Sequence, residues 1–220
     1  GNVIAGTVCS AVAKPGVGEI IEETHRGIGI AATHELSERI VASFEHAGLG
    51  ARSYPKAGPM KWSKLLTNLT GNATSAILDL PVAQLFSDKR LYEVEVAVLR
   101  ECLAVMDALG FAPVDLPGTP VRALALAAKL PRLIAQPVLV KGLGSGRGDK
   151  MPSFHVDLYS GRGRTEVQWL NGAVVRHGAR VGVQTPVNAV LTATLEKLSS
   201  GELPLDTYRH DPGALLALLG

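Results

Sequence analysis

The spacing of hydrophobic positions changes near residue 57, and that change organises the chain. Before it, β-branched residues alternate or cluster: Val3, Ile4, Val8 and Val12, then Ile20 and Ile21, then Ile28 and Ile30, around a Lys-Pro-Gly-Val-Gly turn at residues 14–18. Period-two apolar runs split by Gly and Pro predict short, largely antiparallel strands. Thr33 is placed to cap a helix in which Leu36, Ile40, Val41 and Phe44 recur at helical spacing until Gly48, and residues 51–54 read as one more strand.

After residue 57 the period is 3.6. Helices are expected over residues 61–77, over 88–109 behind Ser87-Asp88 and before Gly110, over 119–129 and 131–141, and over 153–159. Further helices are expected over 166–182 behind Thr165, over 186–198 behind Thr185-Pro186, and after Asp211-Pro212. The Gly-rich stretch at residues 142–152 reads as a mobile loop. The fold class is therefore α+β: a small mixed or antiparallel N-terminal sheet, then an all-α region of about six to eight helices without a strand of about five residues or more. Segments 88–109 and 165–182 are expected to form the core, with Trp62 and Trp169 at least half buried.

Composition narrows the function. With 220 residues, 46% hydrophobic and 19% charged, the chain can bury a sizeable core. A formal net charge of +2, with Lys and Arg scattered, gives no single-sign field, so nucleic acid and membrane surfaces are not expected partners. Cys9 and Cys102 stand in apolar surroundings without ligand spacing, which fits buried thiols in a reducing cytoplasm, and the six His residues show no metal spacing, so no metal is assigned. The opening residues lack the basic region of a signal peptide, and no run of apolar residues is long enough to span a bilayer.

The chemistry concentrates in KWSKLLTNLTGNATSAI, residues 61–77, where Lys64, Asn68 and Asn72 recur every fourth residue between apolar neighbours. On one helix, at about 1.5 Å rise per residue, they would form a stripe about 12 Å long. Spacing alone leaves two readings: the solvated edge of an amphipathic helix, or the floor of a wet cleft that binds a ligand with several oxygens. Downstream, Ser153 reads as a helix cap or a ligand hydroxyl. Asp157 reads as a solvated acid beside Arg162 or Arg164, and Glu166 as a first-turn acid that stabilises its own helix.

The order Lys-Trp-x-Lys-Leu-x-x-Asn-x-x-x-Asn at residues 61–72, with Ser153, Asp157, Thr165-Glu166, Asn171-Gly172 and Thr185-Pro186, resembles the C-terminal domain of ketopantoate reductases (2-dehydropantoate 2-reductases) from about residue 3 to residue 197. The resemblance implies an end of a Rossmann-like nucleotide domain at residues 1–56, a helical substrate and catalytic domain at 57–200, similar to the C-terminal domain of 6-phosphogluconate dehydrogenases, and a tail at 201–220. It also implies that Lys64 protonates the forming alkoxide, that Glu166 orients Lys64 and reaches the nicotinamide ribose, and that Asn68, Asn72 and Ser153 bind the substrate with Asp157 in support. Val12 would back the cofactor through its main chain. The family carries a glutamate at the place of Glu101, which on spacing alone is equally a surface carboxylate.

The cofactor of such an enzyme is NADPH, whose pyrophosphate needs a Gly-x-Gly-x-x-Gly turn between a strand and a helix. Residues 27–32, Gly-Ile-Gly-Ile-Ala-Ala, fit the loose form of that motif but follow polar residues where a buried strand is required, and Gly142, Gly144 and Gly146 miss the spacing. By the resemblance the fingerprint half is missing, through fragmentation or natural truncation, and the chain alone is expected to be inactive and to bind NADPH weakly. Two other functions remain open: a non-catalytic helical module that pairs subunits as a possible homodimer or binds a small acid, and a reductase for a different 2-oxo acid.

Overall fold

The computed structural model describes residues 3–147, 151–161 and 164–220. They form two compact units, Gly1–Thr67 with Phe111–Ala123, and Asn68–Gly110 with Leu124–Gly220. These units cut across the sequence boundary at residue 57, because the chain returns to the first after leaving it.

In the first unit β1 (Gly6–Val8) pairs antiparallel with β4 (Ile28–Ala31), and β4 pairs in parallel with β5 (Ala51–Tyr54). The pairings among the strands before residue 32 are antiparallel, as expected, and the parallel pairing of β5 makes this sheet mixed, one of the two expected forms. A separate antiparallel ribbon joins β2 (Ala11–Gly16) to β3 (Glu19–Thr24), with its turn at Val17 and Gly18. The chain breaks between β1 and β2 because Ser10 Oγ accepts the N–H groups of Arg26 and Gly27, both at 3.0 Å, and Cys9 N–H donates to Gly27 O. Helix α1 (Ser37–His46) packs on β4 and β5. Thr33 does not cap it: Leu36 is the cap residue, and the entry is held by His34 N–H to Ser37 Oγ and Leu36 N–H to His34 Nδ1.

Helix α2 (Ala57–Leu69) buries Met60, Trp62 and Leu66. The returning segment is tied to this unit by Val114 N–H donating to Ser63 Oγ at 2.9 Å and by the Tyr54 hydroxyl donating to Asp115 O at 2.9 Å. Gly58 permits the closest approach, since a Cβ there would lie 2.6 Å from the Phe111 ring.

The second unit is helical. It holds α3 (Asn72–Leu78), α4 (Val82–Ser87), α5 (Lys89–Ala108), most of α6 (Val121–Lys129) and α7 (Arg132–Arg147). It continues with α8 (Ser153–Tyr159), a 3-10 turn (Val167–Trp169), α9 (Asn171–Val181), α10 (Pro186–Ser200) and α11 (Pro212–Ala217). Among the described residues ten α-helices, α2 to α11, follow residue 56, more than expected, since the run expected at residues 61–77 is broken into α2 and α3 and α4 forms outside the expected helices. In the same residues the only β feature after α2 is the bridge between Leu116 and Thr119. None of the described helices is long and apolar enough to cross a membrane.

Helix α5 is the axis of this unit. Its Asp88 side chain accepts the N–H groups of Arg90 and Leu91, and its buried residues, among them Leu91, Val96, Leu99, Leu103 and Met106, face α4, α9 and α10. Each fully buried side chain of that size contributes about 1.5 to 3 kcal/mol. Cys102 on this helix is buried, and burial pushes its thiol pKa up. Cys9 is buried too, and its thiol is raised by burial against the opposing charges of Lys64 and Arg26, so neither thiol is activated.

Three local expectations are corrected. The stretch expected to be a loop at residues 142–152 is helical through Arg147, and residues 148–150 lie outside the described residues. Thr165 does not cap a helix from residue 166; the chain makes the 3-10 turn first and α9 starts at Asn171. Trp62 is 9% exposed as expected of a core residue, but Trp169 is 74% exposed, with the Arg176 guanidinium 5.6 Å from its ring centroid. A cation over the indole face lets an aromatic side chain remain in water.

Candidate functional site

The stripe of Lys64, Asn68 and Asn72 is not carried on one continuous helix. Helix α2 ends at Leu69, and α3 starts at Asn72 after Gly71, which has φ of 67°. A Cβ at Gly71 would sit 2.8 Å from both methyls of Val82, so the position needs glycine for space as well as conformation. The break is held from below by Glu95 on α5, which is 1% exposed and accepts the Gly71 N–H at 2.6 Å. Glu95 went unnoticed in the sequence. Its signal was an acid enclosed by Val94 and Val96 in a helix otherwise apolar at that level.

Beyond the break, Asn72 is 4% exposed and joins three segments. Its Nδ2 donates to Asn68 O at 3.1 Å and to Ser153 Oγ at 3.3 Å, and its Oδ1 accepts the Phe154 N–H at 3.0 Å. Both amide hydrogens are therefore engaged within the protein. Ser153, exposed at the first turn of α8, receives one of them, so its own hydroxyl proton remains available to an acceptor in solution. The second unit thus brings Asn68, Asn72 and Ser153 together.

The other expected residues are placed as follows. Lys64 is half-buried on α2, and its carbonyl accepts the Thr67 hydroxyl. Asp157 is half-buried on α8, one turn after Ser153. Glu166 is exposed ahead of the 3-10 turn, where its carbonyl accepts Trp169 N–H at 2.9 Å and its carboxylate makes no capping bond. Val12 lies exposed on β2, paired with Glu22. Residues 28–31 of the loose glycine motif form strand β4. A Cβ at Gly27 would meet Gly50 O at 2.1 Å, and one at Gly29 would meet Met60, Thr7 and Tyr54 at 3.0 Å. These glycines serve strand packing, and the segment does not fit a dinucleotide pyrophosphate.

Glu101 is half-buried and bonded within the protein. Its carboxylate accepts Val187 N–H at 2.8 Å, Asn188 N–H at 2.9 Å and Asn188 Nδ2 at 2.6 Å, capping α10 in place of Thr185, and Asn188 Oδ1 in turn accepts Asn171 Nδ2 at 3.0 Å. A second cluster, around Asp79 at the end of α3, also went unnoticed. Asp79 accepts His155 Nε2 at 2.6 Å and Arg209 Nε at 2.8 Å. Partial burial would raise the Asp79 carboxyl, but hydrogen bonds from His155 and Arg209, and their charges, hold it below its ordinary value. Among the described residues no group of three His, Cys, Asp or Glu side chains is placed to hold a metal ion.

A small mixed sheet followed by a helical unit with an asparagine–serine node makes this an α+β protein whose chemistry-bearing residues cluster largely on helices. Residues 58–199 match the family described as "Ketopantoate reductase PanE/ApbA C terminal", and the chain belongs to that family. It is 29% identical over 166 residues to a 2-dehydropantoate 2-reductase of Pyrobaculum aerophilum, covering 76% of this chain and 52% of that protein. It is 26% identical over 211 residues to one of Pyrococcus horikoshii, covering 91% of this chain and 61% of that protein. The crystal structure of a PanE/ApbA family ketopantoate reductase from Ralstonia eutropha superposes with a TM-score of 0.73 at 25% identity, over 90% of this chain and 60% of that one. The chain spans about half to three-fifths of the length of these relatives.

Proposed function

We propose that this chain is the substrate-binding and catalytic part of an NADPH-dependent 2-oxo acid reductase that converts ketopantoate to pantoate. The observation that carries the reading is the Asn72 node, which holds the Ser153 hydroxyl as a donor at the edge of α8 in a chain of this family. A 2-oxo acid offers a carboxylate and a carbonyl, both acceptors, so neutral donors such as Ser153 and Asn68 suit it without competing for the transferred proton.

In this reading Ser153 and Asn68 bind the substrate's oxygens, and Asn72 aims Ser153 rather than donating itself. Asp157, one turn along α8, supports that helix edge. The Lys64 ammonium stabilises the charge that develops on the carbonyl oxygen and then gives up a proton to it. Glu166 acts as the second acid. The hydride is the nicotinamide's contribution. Residues 27–32 are not assigned to the cofactor, because strand packing fills the space around them.

The test is NADPH oxidation by the full-length protein with ketopantoate, beside a panel of unbranched 2-oxo acids. Turnover with ketopantoate at a kcat/KM at least about tenfold above the panel is expected. No turnover with any 2-oxo acid would overturn the enzyme reading, and preference for an unbranched acid would replace the substrate.

A further inference from the structure

Helix α8 has only seven residues, too few to persist without tertiary ties, since isolated helices under about twelve residues are marginal. It is held on α3 at two places. One is the Asn72 tie to Ser153 and Phe154, at the start of α3. The other is the His155 bond to Asp79, just past the end of α3.

That second tie also involves the C-terminal tail. Arg209 Nε donates to Asp79 Oδ2 at 2.8 Å, His210 Nε2 lies 3.5 Å from the same oxygen, and His210 N–H donates to Leu78 O at 2.8 Å. Asp79 and His210 both adopt positive φ, 52° and 55°, a conformation that is strained for a non-glycine residue and needs such contacts to persist. Tyr159 completes the cluster from α8, stacking on the His155 ring at 4.4 Å between centroids, with its hydroxyl buried and unpartnered among the described residues. Asp79 and His155 are each less than one-fifth exposed.

We propose that Arg209, Asp79 and His155 form a latch through which the tail fixes α8 on α3 and so positions Ser153. The proposal rests on the reading of Ser153 as a substrate-binding group. The latch residues touch no reacting atom. Arg209 holds the Asp79 carboxylate in place, Asp79 holds His155, and His155 stands two residues from Ser153 on one short helix. Freed of Arg209, Asp79 Oδ2 loses its charged donor and keeps only the longer approach of His210, so the carboxylate that holds His155 is less firmly placed and α8 depends more on the Asn72 tie and the burial of Phe154 and Leu158.

The test has two readouts in the full-length protein, for Arg209→Ala, Arg209→Lys and Asp79→Asn. Amide exchange at Phe154, whose N–H is donated to Asn72, should speed up by about tenfold in Arg209→Ala while α5 amides stay protected. Steady-state kinetics with ketopantoate should show KM raised about three- to tenfold with kcat within about twofold, and Arg209→Lys should recover part of both effects. If Phe154 exchange is unchanged the latch is wrong. If exchange speeds up but KM stays fixed, the latch does not position the substrate group. Faster exchange in a protein whose wild type turns over no ketopantoate would uphold the tail's hold on α8 and remove the substrate assignment instead. Should Asp79→Asn fail to fold, Arg209→Ala decides, because Arg209 is about half exposed.

Discussion

The side-chain amide of Asn72 donates to Ser153 Oγ at 3.3 Å while its carbonyl accepts the next residue's N–H at 3.0 Å, so one buried amide fixes both the hydroxyl and the backbone that carries it. The two residues should therefore fail differently. Ser153→Ala should cost about 0.5 to 1.5 kcal/mol, the one hydrogen bond that Asn72 gives it, and act mainly on KM. Asn72→Ala removes three hydrogen bonds worth about 0.5 to 1.5 kcal/mol each and should lower both substrate affinity and the urea midpoint. Denaturation and kinetics on the same preparations check this.

Lys64→Ala in the full-length protein should lower kcat by about two to four orders of magnitude, the typical worth of a positioned general acid. Stability should change little, because one half-buried lysine contributes little to folding. Near-full turnover would remove Lys64 from the chemistry.

Gly71→Ala should destabilise the protein by about 1 to 3 kcal/mol, since the new methyl meets Val82 at 2.8 Å on a backbone with φ of 67°. Val82→Ala in the same chain removes the clash but not the conformational cost. Calorimetry should find part of the loss restored in the double variant and none if the backbone term dominates.

Glu101→Ala should cost about 2 to 4 kcal/mol, because it strips three donors of one charged acceptor and leaves Asn188 Nδ2 short of a partner in the interior. Glu101→Gln keeps one carbonyl and should cost less. Equal losses would show that the charge, not the acceptor, holds α10.

Asp79 sets an acid-side limit. A carboxyl held below its ordinary value in the folded protein binds its proton less readily than in the unfolded chain, so it adds stability that is complete above the unfolded pKa, near 3.8. That stability fades as pH falls from 3.8 through the folded value. Urea midpoints recorded through that window should fall less steeply for Asp79→Asn than for the wild type. Parallel curves would mean that the carboxylate gains nothing from His155 and Arg209.

What the sequence disclosed followed from local rules. The strands of the first unit, the Asp88 cap of α5, the short helix from Ser153 and the Asp211 cap of α11 are all signalled by residues close to the element they shape. The break at Gly71 stayed hidden because a helix tolerates an isolated glycine, and the reason it cannot here, the Val82 side chain, lies on another helix. The helical run through Gly142, Gly144 and Gly146 was masked by a composition that favours loops. Glu101 and Asp79 take their meaning from Asn188 and Arg209, partners 87 and 130 residues away that no periodicity connects. The stripe was visible, but that Asn72 spends both its hydrogens on the protein was not.

The chain's path through its two units bears on how the gene can be divided. A shortened gene ending at residue 67 would keep every strand of the first unit yet discard residues 111–123, and with them the Val114 donor to Ser63, the Asp115 acceptor for Tyr54 and the Phe111 ring that faces Gly58. A single cut therefore yields no intact piece. To express the first unit alone, residues 68–110 must be excised and the ends bridged by a linker, and the second unit needs the complementary deletion.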